Sequence, residues 1–313
     1  MNKELAICIP TYNRALVLKD LLNDLILKVE DYQVAIYISD NNSQDNTYDI
    51  VREAQKKYKY IIYHRNIENL GADRNFENVL KMSTSNYSWL LGDDDRLMPE
   101  SIPTILQIIA QKKFDVIVTN GCNYDGTILK CKDLKSSEYT NHNTLISDLW
   151  HTMTWMSTLI YSQELIELGN FKKYYNTNFL QTAVIFDYLA YKSSIVVYWS
   201  EQPLVIYPEE ESIVNHYNDK IVFLFLYCWI NVILSLPDIY SDLTKMKCIK
   251  ASQLTLKTLI HLRIKKDFNS KEFIQYKHYF KYITKAPSIL IYFIAIFPPF
   301  IIKFLHKIKK LVS

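Results

Sequence analysis

Glycine is scarce in this chain, with five in 313 residues. No Gly-x-Gly-x-x-Gly run and no Walker-type phosphate loop occurs, so dinucleotide dehydrogenases and P-loop NTPases are not supported. The five cysteines, Cys8, Cys122, Cys131, Cys228 and Cys248, include no Cys-x-x-Cys pair. That argues against a zinc site or a disulfide framework and predicts inert thiols in a reduced compartment. No leader-like stretch opens the chain, because Lys3 and Glu4 run straight into a strand-like segment, and a cytoplasmic setting is expected. No uncharged run reaches the roughly 20 residues of a membrane-spanning helix. No helix-turn-helix or finger motif is present, so nucleic acid is not an expected partner.

What is present is a substantial apolar fraction, 49% of the chain, enough for a packed core. Charge is unevenly spread. From Lys245 onward 15 of the 36 Lys and Arg residues face only Asp267 and Glu272. The body is therefore about −10 and the tail about +13, which points the tail toward an anionic partner.

The first ~120 residues alternate between two periods. Strands are expected at Leu5–Pro10, Gln33–Ser39, Tyr60–His64, Tyr87–Leu91 and Phe114–Thr119, with amphipathic helices between them. Such alternation gives a mostly parallel sheet covered on both faces. Its ligands bind beyond the carboxyl ends of the strands. The polar clusters Thr11–Arg14, Ser39–Ser43, Asn66–Asn75 and Asp93–Asp95 all follow strands and should converge on one edge. Further on, Trp155–Ser162 and Ser194–Trp199 read as strands around a helix near Thr182–Tyr191. Two uncharged runs follow, Ile221–Leu236 and Ala286–Ile302. The first reads as a buried helix. The second is broken by Pro298-Pro299 and flanked by Lys303, Lys307, Lys309 and Lys310.

Asp93-Asp94-Asp95 can hold a divalent cation through hard oxygen ligands, although an acidic triplet alone reads more readily as a solvated turn. Asp40 can accept hydrogen bonds from a base or ribose, or belong to an Asx-rich turn. Tyr12 can stack on a base and Arg14 can meet phosphate, or both can belong to a capped loop.

In order and spacing, CIPTYNR (Cys8–Arg14), YISDNNSQDNT (Tyr37–Thr47), NLGADRNF (Asn69–Phe76) and YSWLLGDDDRLMP (Tyr87–Pro99) resemble family 2 glycosyltransferases. The form NLG-x-DRNF followed by W-x-x-G-x-DD is similar to the abequosyltransferase-like branch. Weaker similarity extends through Ser157–Glu164 and Glu201–Tyr207. The resemblance implies an α/β GT-A fold with a mostly parallel central sheet. It implies an enzyme that moves a sugar, with inversion, from a nucleotide-sugar donor to a saccharide on a lipid carrier, in O-antigen or capsule synthesis. Mn²⁺ or Mg²⁺ would be the cofactor. Pro10, Thr11, Tyr12 and Arg14 would border the nucleotide, Asp40 and Asn42 the base, and Arg74 the base or diphosphate. Asp94 would lead as metal ligand with Asp95. Asp93, or Asp95 in its stead, would contact the ribose.

The sequence departs from that family at two places. Gly92 stands where members often have aspartate. Gln181-Thr182 stand on the acceptor side, where a Glu-Asp pair usually supplies the general base. Asp187, further along the same helix, and His151 are the substitutes by chemistry. If neither serves, the chain is a non-catalytic nucleotide-sugar-binding scaffold. The expected parts are a donor half at residues 1–120, an acceptor half at 121–215, a helical extension at 216–285 and a membrane-associating tail at 286–313. The tail is expected to lie on the anionic cytoplasmic face of a bacterial inner membrane; a buried tail helix or an oligomer contact is the competing reading.

Overall fold

The computed structural model describes residues 1–126, 129–207, 222–250 and 255–301. Lys303 to Lys310, which flank the second uncharged run, lie outside the described residues. The chain divides into two compact units, Met1–Glu210 and Glu211–Ser313.

The first unit is built on β1 (Leu5–Thr11), α1 (Ala15–Val29), β2 (Ala35–Asp40), α2 (Thr47–Lys57), β3 (Ile61–Arg65), α3 (Ala72–Met82) and β4 (Tyr87–Leu90). Next come β5 (Arg96–Leu97), α4 (Ser101–Gln111), β6 (Val116–Cys122), β7 (Ser137–Tyr139) and α5 (His142–Met153). The unit ends with β8 (Leu159–Ser162), α6 (Gln163–Leu168), α7 (Leu180–Ala190) and β9 (Val197–Ile206).

Every residue of β1, β2, β4 and β6 is buried. That is why these strands read as continuous apolar runs and not as alternating ones. Leu18, Leu21, Leu22, Leu25 and Val29 form the buried stripe of α1. The strand order is β3-β2-β1-β4-β8-β6-β9-β5, with β7 against the outer side of β9. The run β3-β2-β1-β4 is parallel, β8 is antiparallel to both neighbours, and β6 and β9 are parallel. The carboxyl ends of β1, β2, β3, β4, β6 and β9 therefore share one edge.

The expected strand Trp155–Ser162 begins only at Leu159, because Met156–Thr158 form a 3₁₀ turn. That turn directs Trp155 and Ser157 toward the strand-end aspartates. The helix α5 carried no reading from the sequence.

In the second unit Val222–Trp229 is π-helical and continues as the helix Ile230–Ser235, with Leu226, Trp229, Ile230 and Ile233 buried. Two further helices follow, Asp242–Lys250 and Leu256–Lys265. The helix Ser288–Ile296 stops just before Pro298-Pro299. Among the described residues no helix is long and apolar enough to cross a membrane.

Candidate functional site

The polar clusters meet at the shared carboxyl edge. The loop after β1 is bolted to the loop after β2. Asn41 N donates to Thr11 O (2.9 Å), Asn13 N to Ser43 Oγ (2.8 Å) and Gln44 N to Asn13 Oδ1 (2.7 Å). Asn13 and Asn42 adopt left-handed backbone angles (φ 51° and 65°), which asparagine tolerates better than most residues. Asp40 is buried. Its Oδ1 accepts from Ser43 N (2.8 Å) and its Oδ2 from the Tyr63 hydroxyl (2.6 Å). Arg65, at the end of β3, reaches Asn42 Oδ1 (3.2 Å) and Ser43 O (2.6 Å). Tyr12 stands exposed beside this floor, and Pro10 is buried in β1.

Arg14 forks onto two members of the acidic triplet. Its Nη1 lies 2.7 Å from Asp93 Oδ1 and its Nη2 2.8 Å from Asp94 Oδ2. Asp93 Oδ2 accepts from Thr11 Oγ1 (2.8 Å). Asp95 is held from the other side, where its Oδ2 accepts from Trp155 Nε1 (2.9 Å) and from Ser157 Oγ. Ser157 Oγ also accepts from Gly92 N (2.8 Å), and Ser157 O accepts from Trp89 Nε1 (2.8 Å). The indole of Trp155 lies over Gly121 and meets Tyr207 edge-on at 5.5 Å.

The departure at Gly92 has a steric cause. A Cβ there would lie 2.7 Å from Asp95 Oδ2 and 3.2 Å from Asp94 Oδ1. The two carboxylates fold over the bare backbone, and a side chain would displace them.

These residues suit a divalent cation, with a qualification in the donor set. Asp94 and Asp95 bring hard oxygens close together over Gly92, while both Asp93 oxygens are engaged by Arg14 and Thr11. Among the described residues no group of three His, Cys, Asp or Glu is arranged to enclose an ion alone. A cation here would draw its other oxygens from diphosphate and water, as magnesium-type sites do.

Burial holds the Asp93 carboxyl up to about 6, against the opposing pull of Arg14 and Thr11. Burial, then the neighbouring Asp94, raises Asp95 as well. Unfolded aspartates ionise near 4. Between there and pH 6 or above, the native state keeps protons that the unfolded chain has lost. Stability should therefore fall as pH rises through that window. Without divalent cation, the thermal midpoint is expected to decline more from pH 5 to 7.5 in the wild type than in Asp95→Asn. Parallel declines in the two proteins would count against it.

The acceptor-side expectations fare differently. Gln181 Nε2 donates to Thr154 O (3.1 Å) and Thr182 Oγ1 to Met153 O (2.6 Å). The pair thus braces the segment that carries Trp155 and Ser157. The structure does not bring Asp187 to the site. It is buried, paired with Lys173 Nζ (2.5 Å) and bonded to the Tyr174 hydroxyl (2.9 Å). It lines a cavity of about 490 Å³ with Glu164 and Lys192, and Lys192 pairs with Asp115 just before β6. Asp187 therefore belongs to the amino edge of the parallel strands, opposite the triplet. The turn of α7 that separates it from Thr182 carries it away. His151 stands exposed at the last turn of α5, its ring edge-on to Trp150 (5.3 Å). Arg74 is exposed and lies over the Tyr175 ring, 4.9 Å from its centroid.

Sequence reasoning missed several supports. Trp155 and Ser157 hold Asp95 from 60 or more residues away, and no local pattern announces them. Asp73 accepts from Thr177 N (2.9 Å) and Asn178 N (3.2 Å), and the Tyr175 hydroxyl bonds Glu77. Together they pin the chain before α7 onto α3. Arg65 was findable, since it ends a strand at the edge where the clusters meet.

With this geometry in view, the glycosyl transferase family 2 profile matches residues 6–168. The chain belongs to that family. This family 2 chain is 36% identical over 125 residues to the abequosyltransferase RfbV of Salmonella typhimurium, across 38% of this chain and 37% of that protein. It is 29% identical over 106 residues to the GalNAc(5)-diNAcBac-PP-undecaprenol beta-1,3-glucosyltransferase of Campylobacter jejuni, across 33% of this chain and 34% of that one. The matched stretch thus spans about a third of these relatives' length. Among solved structures it is similar to S. aureus TarS 1–349 in complex with UDP-GlcNAc. The TM-score is 0.60 and the identity 16%, over 93% of this chain and 87% of that one. It is also similar to the mannosyltransferase PcManGT of Pyrobaculum calidifontis in complex with GDP-Man and Mn²⁺. There the TM-score is 0.53 and the identity 11%, over 93% and 86%. The fold is GT-A, as the sequence led one to expect.

Proposed function

We propose that this protein transfers a sugar from a nucleoside-diphosphate donor to a lipid-linked saccharide in bacterial surface polysaccharide assembly. The observation that carries the reading is the convergence of Asp40, Arg14 and Asp93–Asp95 on the carboxyl edge of a GT-A sheet. The relative named above whose substrate is an undecaprenol-linked glycan, the glucosyltransferase, supports the acceptor class.

The chemistry is a single displacement. The acceptor hydroxyl oxygen bonds to the anomeric carbon, and the bond from that carbon to the diphosphate oxygen breaks. The nucleoside diphosphate leaves with the bonding pair, the hydroxyl proton passes to a base, and the anomeric centre inverts. A divalent cation, when bound, neutralises charge on the departing diphosphate; Asp94 and Asp95 would hold it. Asp93 fixes Arg14, whose remaining donors can meet phosphate oxygens. Asp40 and Asn42 face the base, and Tyr12 offers it a ring. No residue is assigned as the base: Asp187 is tied up by Lys173 and Tyr174, and desolvation, then the nearby Lys130, lowers the His151 imidazole to about 4, which makes it a weak proton acceptor.

A second reading rests on Gln181 and Thr182, which cannot titrate and which brace backbone carbonyls. In it the protein binds donor without turning it over. Thermal shift against UDP-, GDP-, CDP- and dTDP-sugars, with and without Mn²⁺, tests the donor site. One donor class should raise the midpoint by several degrees, since saturation at 100 times Kd adds about 2.7 kcal/mol. A flat response to all four overturns the proposal. A shift without transfer to an extracted lipid-linked acceptor favours the scaffold.

A further inference from the structure

The helix Ser288–Ile296 contains no charged residue. One narrow side of it, Ile291 and Ala295, is fully buried and packs against the helices Leu256–Lys265 and Ser270–Tyr276. Tyr292 meets Phe273 at 5.3 Å, and Arg263 Nε donates to Phe297 O (2.9 Å). The helix is therefore seated on its own unit. Its broad side is not covered. Ile289, Leu290, Phe293, Ile296, Phe297 and Phe300 are each between 39 and 72% exposed. A surface helix of a soluble domain turns polar residues outward. Contiguous exposed apolar surface marks an interaction site.

Charge identifies the partner. The stretch from Lys245 onward is about +13, and Lys281 and Lys285, just ahead of the helix, are exposed. An anionic bilayer offers in one partner both an apolar interior for the rings and acidic headgroups for the lysines. Nine helical residues reach only about 14 Å, against a hydrocarbon core of roughly 30 Å. A helix of that length cannot span the core and could meet a bilayer only in the plane of its surface.

We propose that the Ser288–Ile296 helix, with Phe297 and Phe300, is an in-plane membrane dock that sinks its uncovered face into the headgroup boundary of an anionic bilayer. The inference stands apart from the donor site, because its readout is vesicle binding and not transfer.

The test is co-sedimentation of the full chain with POPC vesicles and with 3:1 POPC:POPG vesicles, in moderate salt. Wild type is expected to bind the POPG vesicles at least tenfold more tightly. Ile289→Ser/Phe293→Ser/Phe300→Ser changes only exposed side chains. It should weaken binding to POPG vesicles at least tenfold while circular dichroism and the thermal midpoint stay unchanged. Lys281→Glu/Lys285→Glu should lose much of the preference for POPG, at about fivefold per lysine. The proposal is overturned if wild type ignores POPG vesicles. It is equally overturned if the folded triple variant binds like wild type, or if that variant only converts a dimer to a monomer with vesicle binding intact.

Discussion

Asp94→Ala is expected to lower the rate of sugar transfer by about 10²–10³-fold, the scale seen when one preorganised electrostatic contact to a transition state is removed. The thermal midpoint should barely move. The Asp94 side chain is 35% exposed, and its contact is the outer arm of the Arg14 fork. Arg14 keeps Asp93 when that arm is lost. Nothing in the core rests on Asp94, and surface changes of this kind usually stay within about 0.5 kcal/mol. Donor-dependent transfer and the Mn²⁺-induced shift in midpoint should fall together. Wild-type turnover with an undiminished Mn²⁺ response would remove Asp94 from the cation site.

The second large effect is expected at Gly121, which touches no substrate in the proposed scheme. A Cβ there would lie 2.2 Å from Trp155 Cζ3, 2.9 Å from Cη2 and 3.0 Å from Val205 O. The backbone oxygen of β9 cannot retreat without breaking sheet register, so the indole must move. Overpacking of this kind costs about 1–3 kcal/mol. Moving the indole also withdraws the Nε1 donor from Asp95. Misplacing a catalytic-site group by about 1 Å can cost up to 10²-fold in rate. Gly121→Ala should therefore lose both stability and transfer. Adding Trp155→Phe, which removes the clashing outer ring, should recover stability but not transfer. That split separates a packing fault from loss of the Asp95 support. Unchanged midpoint and turnover in Gly121→Ala would show that Trp155 does not position Asp95.

Much of the donor side was legible in advance because its information is local. A buried parallel strand must be apolar throughout, so Leu5–Ile9 and Ala35–Ile38 announce themselves without any partner in view. The residues just past such strands must lie at the sheet's carboxyl edge. That places Thr11, Arg14, Asp40 and Asp93–Asp95 together by topology alone. What could not be read was which side chain answers which. The Arg14 fork spans about 80 residues of chain, and the hold of Trp155 and Ser157 on Asp95 spans about 60.

The acceptor side depended on tertiary structure from the outset. Every residue of α7 from Leu180 to Leu189 is buried. A helix enclosed on all sides has no polar face, so periodicity cannot say which way Asp187 points. The answer came from Lys173 and Tyr174, supplied by a turn that packs beside it at the far edge of the sheet. The same holds for Gly92 and Gly121. As letters they mark only backbone freedom. Their need is set by the Asp94 and Asp95 carboxylates over one and the Trp155 indole over the other. Sequence by itself determined the parallel strands of the donor side, the edge and the acidic triplet, since each follows from burial and chain direction within a few residues. Only the folded chain decided how those carboxylates are held and which acceptor-side residues are structural, because contacts between distant segments exist only once the sheet has brought them together.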